Sequence, residues 1–203
     1  MVAVKQKKRG KVNRSRTKLI LMGTEGNNKT EKLYFTELFR NNKSYRVRFT
    51  NSTDTDPIRI VEATARQIVK DDIDLKDGDL AFCAIDTDTN PEKQDQIDIA
   101  IDLAKRQQIE VILSNPCFEI WFLQHFRYST KAYTASADVI KELRTYIPNY
   151  KKNASIYVDI KKCQVDAVKR AKRLEKYHTE LGRRRRDMAC NPSTEVYKVL
   201  EVI

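Results

Sequence analysis

The sequence predicts an α/β domain with a mostly parallel sheet, flanked by helices and followed by a helical C-terminal portion. Four short strand-like segments are each followed by a stretch of helical periodicity, which is the pattern of successive βαβ units. Residues 80–85 are apolar on both faces, as expected of a central strand covered by helices on both sides. Hydrophobic residues make up 40% of the 203 residues, which is enough to bury a core.

The first two predicted strands are separated by one helix. Residues 18–23 read as a short buried strand, and the segment 23–28 supplies turn residues. Thr30 is a plausible cap for a helix whose apolar positions recur at helical spacing. Residues 45–49 alternate between apolar and basic side chains, which predicts a half-exposed strand nearer the edge of the sheet.

The second half of the predicted sheet repeats the same alternation of strand and helix. Asp56 and Pro57 look like a cap and a first-turn proline, and the helix they open ends near Asp72. Its predicted apolar stripe consists of Ile58, Val61, Ala65, Ile68 and Val69. The strand 80–85, a helix opened by Pro91 and a short strand 110–113 complete the pattern.

The chain turns helical after Pro116. An aromatic-rich segment from Phe118 predicts a core-facing helix, and residues 136–146 and 162–181 also have helical character. We therefore divide the chain into a basic N-terminal tail, residues 1–17, and one α/β domain, residues 18–203, whose helical cap covers about 127–203.

The formal charge of +11 is unevenly distributed. Residues 5–18 contain eight basic residues and no acid, and Arg183, Arg184, Arg185 and Arg186 are consecutive. Such clusters release counterions from a phosphate backbone, so they favour DNA or RNA as a partner. The alternative is a solvated arm that only repels other copies of the chain. Lys29 and Lys32 could hold a phosphate or could simply be solvated.

Composition argues against several other classes of protein. No apolar run approaches the length of about 20 residues needed to cross a bilayer, so no membrane partner is predicted. The basic N-terminus lacks the apolar segment of a secretory signal, which favours a cytoplasmic location. The four cysteines contain no CxxC pair, and this spacing does not favour zinc.

Four acidic residues follow predicted strands at what would be the same edge of the sheet. Glu25 comes after the first strand, Asp86 and Asp88 after the third, and Glu119 after the fourth. If the third strand continues, Asp86 and Asp88 point the same way. Carboxylates within about 4 to 6 Å of one another repel, so at neutral pH one of them takes up a proton or a cation neutralises them. Hard oxygen ligands favour Mg²⁺ or Mn²⁺.

The same residues have simpler explanations. An aspartate after a strand is often a cap or turn residue, so the Asp-x-Asp pattern alone carries little weight. His125 lies in the aromatic stripe of a core-facing helix, where a hydrogen-bonded structural histidine is the better interpretation. His178 is expected on the polar part of a basic helix, without a catalytic role.

Several short motifs resemble the RloB family over roughly residues 18–200. They are Thr24-Glu25-Gly26, Thr30-Glu31, Tyr34-Phe35, Asp86-Thr87-Asp88, the run from Ser114 to Trp121, His125-Phe126 and Asn191-Pro192-Ser193-Thr194. That family is related to the topoisomerase–primase (Toprim) fold, whose pattern is a glutamate after the first strand and Asp-x-Asp after a later one. The loop from Gly26 to Thr30 is one residue longer than the pattern expects.

The resemblance implies a role in bacterial antiviral defence or abortive infection, and it allows for a partner ATPase or another defence protein. It also implies that Glu25 is an acid, base or metal ligand, that Asp86 and Asp88 are metal ligands, and that Glu119 is a further ligand.

The leading hypothesis is a Mg²⁺-dependent nuclease acting on DNA or RNA, including transfer RNA. One rival is a non-catalytic nucleic-acid-binding or effector subunit. The other is a different metal-dependent phosphoryl-transfer enzyme. The oligomeric state stays open.

Overall fold

A five-stranded sheet forms the centre of the molecule in the computed structural model, which describes residues 16–26 and 29–203. The predicted tail therefore lies largely outside the described residues. The strands are β1 (Lys18–Thr24), β2 (Tyr45–Phe49), β3 (Leu80–Asp86), β4 (Glu110–Asn115) and β5 (Ser193–Thr194). Their order is β2-β1-β3-β4-β5; β1 to β4 are mutually parallel, and β5 pairs antiparallel with β4. The predicted mostly parallel sheet is confirmed.

Helices connect the parallel strands and make up most of the C-terminal part. They are α1 (Lys29–Phe39), α2 (Pro57–Lys70), α3 (Lys93–Arg106), α4 (Glu119–Gln124), α5 (Ser136–Tyr146), α6 (Tyr157–Ile160), α7 (Gln164–Glu180) and α8 (Tyr197–Leu200). Among the described residues, none of these helices combines the length and apolar content that spanning a bilayer requires.

Side-chain alternation along the strands divides the core into two layers. Ile20 and Met22 of β1 belong to an apolar cluster with the aromatic side chains of α1 and α4, such as Trp121. Leu19 and Leu21 point to the opposite face and pack with residues of α2 and α3. Helices thus cover both faces of the sheet, which explains why β3 is apolar throughout.

A close approach between β1 and α2 fixes the end of the first strand. A Cβ atom on Gly23 would lie 2.4 Å from Oγ1 of Thr64 and 3.0 Å from Sγ of Cys83. A larger residue would therefore force the side chain of Thr64 or the helix that carries it to shift. The glycine therefore lets α2 pack tightly on β1 two residues before Glu25.

Three details differ from the sequence predictions. The buried face of α2 contains Ile60, Val61 and Thr64, whereas the predicted stripe member Val69 is 82% exposed. The rotation of α2 against β1 turns Val69 outward, whereas Ile58, Ala65 and Ile68 of the predicted stripe are partly buried against the core. Strand β4 continues to Asn115, and β5 was not predicted because a two-residue strand has no periodicity to detect.

Candidate acidic site at the carboxyl edge of the sheet

Glu25 lies beside Asp86 at the carboxyl edge of the sheet. It directly follows β1, and the next residue is fixed because the Gly26 N–H donates to the carbonyl of Asp54 at 2.7 Å. Oε1 of Glu25 accepts a hydrogen bond from the backbone N–H of Asp86 at 3.2 Å. Since β1 and β3 are parallel neighbours, their ends bring these two residues together.

Asp88 reaches the same place by a different path from the predicted one. β3 ends at Asp86, and Asp88 has a φ of 55°, so the two side chains do not share a face of one extended strand. The backbone turns because the N–H groups of Thr87 and Asp88 donate to the carbonyls of Ser114 and Pro116, each at 3.0 Å. The strand does not continue to Asp88, so the condition for the predicted extended arrangement is not met.

Lys93 connects the acids, and sequence reasoning missed it. Its ammonium donates to Oε1 of Glu25 at 2.9 Å, to Oδ2 of Asp88 at 2.9 Å and to the backbone carbonyl of Asp86 at 2.7 Å. The side chain is 11% exposed. Its position in the first turn of the helix after Asp-x-Asp is the sequence signal that points to it.

Glu119 is the first residue of α4 and is 1% exposed. Its Oε1 accepts a hydrogen bond from the hydroxyl of Tyr150 at 2.9 Å, and the ammonium of Lys152 lies 3.9 Å away. The loop before α6 thus supplies a hydroxyl and a cation to this carboxylate, a contribution from the C-terminal portion that the strand pattern did not predict.

Glu31 is a further acid of the cluster that was not among the predicted site residues. It lies on the buried face of α1 with Tyr34 and Phe35 and is 3% exposed. Burial, together with the charges of Glu119 and Glu25, raises its pKa to about 7, while the cation of Lys152 acts in the opposite direction. In the sequence, Glu31 stands three and four residues before the core aromatics Tyr34 and Phe35, and this helical spacing indicates that it lies on the same buried face.

Asp86 is at the electrostatic centre of these groups. Burial raises the pKa of its carboxyl group well above the usual value, and the charges of Glu31, Glu25, Glu119 and Asp88 raise it further, in that order. Burial also raises the pKa of Glu25, although Lys93 opposes this. Five carboxyl groups therefore share one region with two lysines, Lys93 and Lys152, so the cluster carries an excess of negative charge when ionised.

The chemistry of these donors suits a hard divalent cation, since all are carboxylate oxygens. As the side chains stand, however, no three Asp, Glu, His or Cys residues within 16–26 and 29–203 are arranged to hold a metal ion. Glu25 and Asp88 are both hydrogen-bonded to Lys93. These oxygen donors suit the predicted Mg²⁺ or Mn²⁺. Glu25 and Asp88 would have to turn away from Lys93 before they could bind the ion.

A family model described as RloB-like protein matches residues 20–203, nearly the whole chain. The chain belongs to the RloB-like protein family. No curated protein and no solved structure is significantly similar to it. The predicted resemblance is confirmed at the level of the family.

The family motif near the C-terminus has a structural role in this RloB-like chain. The side-chain amide of Asn191 donates to the carbonyl of Tyr133 at 2.8 Å, and its oxygen accepts from the Tyr133 N–H at 3.0 Å. Thr194 lies in β5, 3.2 Å from the hydroxyl of Ser114 in β4. The motif thus adds the fifth strand beside the strand that leads to Glu119.

The four consecutive arginines of the RloB-like chain all have partners within it. Arg183 contacts His178, Arg184 contacts Asp98 and Asp187, Arg185 contacts Glu175 and Glu195, and Arg186 contacts Glu110 and Glu195. Arg184 and Arg185 have 57% and 58% of their side chains exposed, whereas Arg186 has 18%. Contact with nucleic acid stays a prediction for this run.

Lys29 and Lys32 lie in the first turn of α1, one turn or less from Glu31. Lys29 is exposed and Lys32 is half-buried, and neither forms an ion pair with the described residues. Contact with a phosphate stays a prediction for both lysines.

The two histidines are structural in different ways. His125 is 2% exposed, and its Nδ1 lies 2.9 Å from the carbonyl of Trp121, as predicted for a core histidine. His178 is also 2% exposed, so its predicted position on the polar face is wrong. Its Nδ1 lies 2.7 Å from Nη1 of Arg183 and its Nε2 lies 2.9 Å from the carbonyl of Pro192. This places the donating N–H on Nε2, since an arginine can only donate.

Proposed function

We propose that this RloB-like protein is a Mg²⁺- or Mn²⁺-dependent nuclease that acts in bacterial antiviral defence. The observation that carries the proposal is the convergence of Glu25, Glu31, Asp86, Asp88 and Glu119 at the carboxyl edge of a parallel sheet, where α/β proteins bind ligands. The defence role rests on what membership of the family implies.

The divalent cation would be held by Asp86, Asp88 and Glu119, and it would neutralise phosphoryl charge and lower the pKa of a bound water. Glu25 would assist proton transfer beside these ligands. Without a bound cation, the raised pKa of Glu31, about 7, allows this carboxyl group to accept or release a proton near neutral pH.

The cluster is bordered by groups suited to phosphate. Lys29 and Lys32 lie in the first turn of α1, which carries Glu31, and the ammonium of Lys152 lies 3.9 Å from Glu119. A polynucleotide backbone placed against these lysines would have its phosphates close to the carboxylates. The basic tail and the exposed Arg184 and Arg185 would extend the contact by sequence-independent attraction.

A rival function is favoured by one observation. Because Lys93 and Lys152 already neutralise part of the cluster, the acids can form a stable arrangement without a metal. A non-catalytic nucleic-acid-binding or effector subunit could keep such a site as a structural feature.

Cleavage assays with Asp86→Asn separate these functions. The wild-type protein is incubated with end-labelled DNA, RNA and transfer RNA, each with Mn²⁺, with Mg²⁺ and with EDTA. We expect cleavage that requires the divalent ion and falls by more than about 10²-fold in Asp86→Asn, with nucleic-acid binding retained.

The matched control is Asp102→Asn, the same change at an exposed position on α3. It should cleave like the wild type. Absence of metal-dependent cleavage of all three substrates by the wild type, or equal cleavage by Asp86→Asn, would contradict the nuclease proposal.

A further inference from the structure

Lys93 places a cation among the acids of the site. Its ammonium has three protons, and each is donated to an oxygen of a different acidic residue: Glu25, Asp88 and the backbone of Asp86. All three contacts are 2.9 Å or shorter, within the range of charge-assisted hydrogen bonds. The donors of this lysine are therefore saturated by Asp86 and Asp88, two of the proposed cation ligands, and by Glu25, the proposed proton-transfer group.

Local structure fixes this position. Asp88 and Thr89 have φ values of 55° and 54°, so the chain turns back on itself between β3 and α3. The turn brings Lys93, in the first turn of α3, over the end of β3 that it has just left. The side chain is only 11% exposed, which shows that the ammonium is held inside the cluster and is not a solvated surface group.

The carboxylate of Asp86 differs from its neighbours. None of residues 16–26 and 29–203 donates a hydrogen bond to it, although it is 7% exposed and surrounded by four other acids. Lys93 contacts this residue through its backbone carbonyl. Lys93 thus secures two of the carboxylates and leaves the central one for another cation.

We propose that Lys93 is a built-in cation that holds Glu25 and Asp88 together and is displaced when a divalent cation binds to the cluster. The inference rests on the proposed function in taking the cluster to be a divalent-cation site. It accounts for the absence, among the described residues, of three acids arranged around one point, since two are turned toward the ammonium. Lys93 is therefore a positioning residue that sets how strongly the site binds metal.

Mn²⁺ binding to Lys93→Met tests the proposal directly. The substitution keeps an unbranched side chain and removes the competing charge, so we expect Mn²⁺ affinity to rise on the order of tenfold over the wild type. Affinity is measured by electron paramagnetic resonance of free Mn²⁺, with no nucleic acid present.

Lys105→Met is the matched control. It makes the same change on the same helix, at an exposed position about 18 Å farther along the axis. At physiological ionic strength its charge is screened from the cluster, so Mn²⁺ affinity should stay within about twofold of the wild type.

A second measurement uses the unaltered protein and remains decisive if Lys93→Met does not fold. Acetylation of each lysine is followed by mass spectrometry with and without Mn²⁺. Displacement frees the ammonium, so Mn²⁺ should accelerate the labelling of Lys93 severalfold and leave that of Lys105 unchanged. Lys93→Gln serves as a second, polar variant for the affinity measurement.

The outcomes separate this inference from the proposed function. Mn²⁺ affinity that is equal or weaker in Lys93→Met, unchanged labelling of Lys93 when Mn²⁺ binds, or no Mn²⁺ binding by any variant would overturn it. Tighter binding in Lys93→Met without cleavage of nucleic acid would remove only the nuclease proposal. Cleavage with unaltered metal affinity would remove only the role of Lys93.

Discussion

Burial beside other carboxyl groups raises the pKa of Glu31. The group is 3% exposed, and its pKa of about 7 means that a proton is bound in the folded state where an unfolded chain would have lost it. Such a residue weakens the fold at neutral pH. It is the kind of local cost that proteins retain at functional sites.

The pH dependence of stability should reveal this cost. From the ordinary value of 4.5 to about 7, only the folded state holds the proton on Glu31, so stability falls as pH rises through this window. The full effect is about 3 kcal/mol. We expect Glu31→Gln to be more stable than the wild type at pH 8 and to lose most of this pH dependence, as measured by urea unfolding at pH 5 and pH 8.

Glu62→Gln on the exposed face of α2 is the control, because its side chain makes only a surface ion pair with Arg66 at 3.7 Å. It should follow the wild-type pH dependence. A Glu31→Gln protein with the same pH dependence as the wild type would show that Glu31 is ionised normally in the fold.

At the scale of elements, Arg186 fastens the segment between α7 and β5 to the sheet. Its Nε donates to both carboxylate oxygens of Glu195 at 3.1 and 3.0 Å, and its Nη2 donates to the carbonyl of Val111 at 2.7 Å. Although burial raises the pKa of Glu195, Arg186 and Lys198 lower it below the usual value. A residue predicted from its neighbours to be part of a basic patch thus serves to anchor β5.

Replacing Arg186 should destabilise the protein strongly. Arg186→Met leaves the buried carboxylate of Glu195 with Lys198 and Arg185 as its remaining cationic partners, at 2.8 and 3.5 Å. We expect a loss of about 3 kcal/mol in the free energy of unfolding, because Arg186 is the partner that binds both carboxylate oxygens. Chemical denaturation monitored by circular dichroism measures it.

Arg184→Met, two positions earlier in the same run, should cost under about 1 kcal/mol because its ion pairs are exposed. Equal effects of the two substitutions would show that the arginine run acts as one surface feature.

At the scale of the whole molecule, the charge asymmetry of the chain should determine how it binds nucleic acid. Residues 1–15 carry six Lys or Arg and no acid. If all six contact phosphates of a duplex, deletion of residues 1–15 should reduce the slope of log affinity against log salt by about 5. Fluorescence anisotropy with labelled duplex at several salt concentrations measures the slope.

A variant with glutamine at these six positions should behave like the deletion, which would assign the effect to charge and not to length. Arg184→Gln with Arg185→Gln should change the slope by less than about 2, since both arginines already have acidic partners. An unchanged slope after deletion of the tail would assign the nucleic-acid interface to another part of the chain.

The fold and part of the acidic site could be predicted from local patterns. Apolar runs and helical periodicity located β1 to β4 and their helices, and the order of the elements required parallel pairing. Glu25, Asp86 and Glu119 follow three of these strands, so their position at one edge follows from topology. Glu31 and Lys93 could not be placed in the same way, because both lie on helices whose rotation about their axes depends on packing.

The sequence by itself determined which strands are parallel and which acids lie at their carboxyl ends, because alternation and periodicity are properties of neighbouring residues. The tertiary structure decided that Asp88 leaves the strand, that Lys93 returns to hold it, that Tyr150 and Lys152 reach Glu119, and that Arg186 is committed to Glu195. Each of these depends on contacts between segments far apart in the chain, and such contacts are selected by the free energy of packing the whole core.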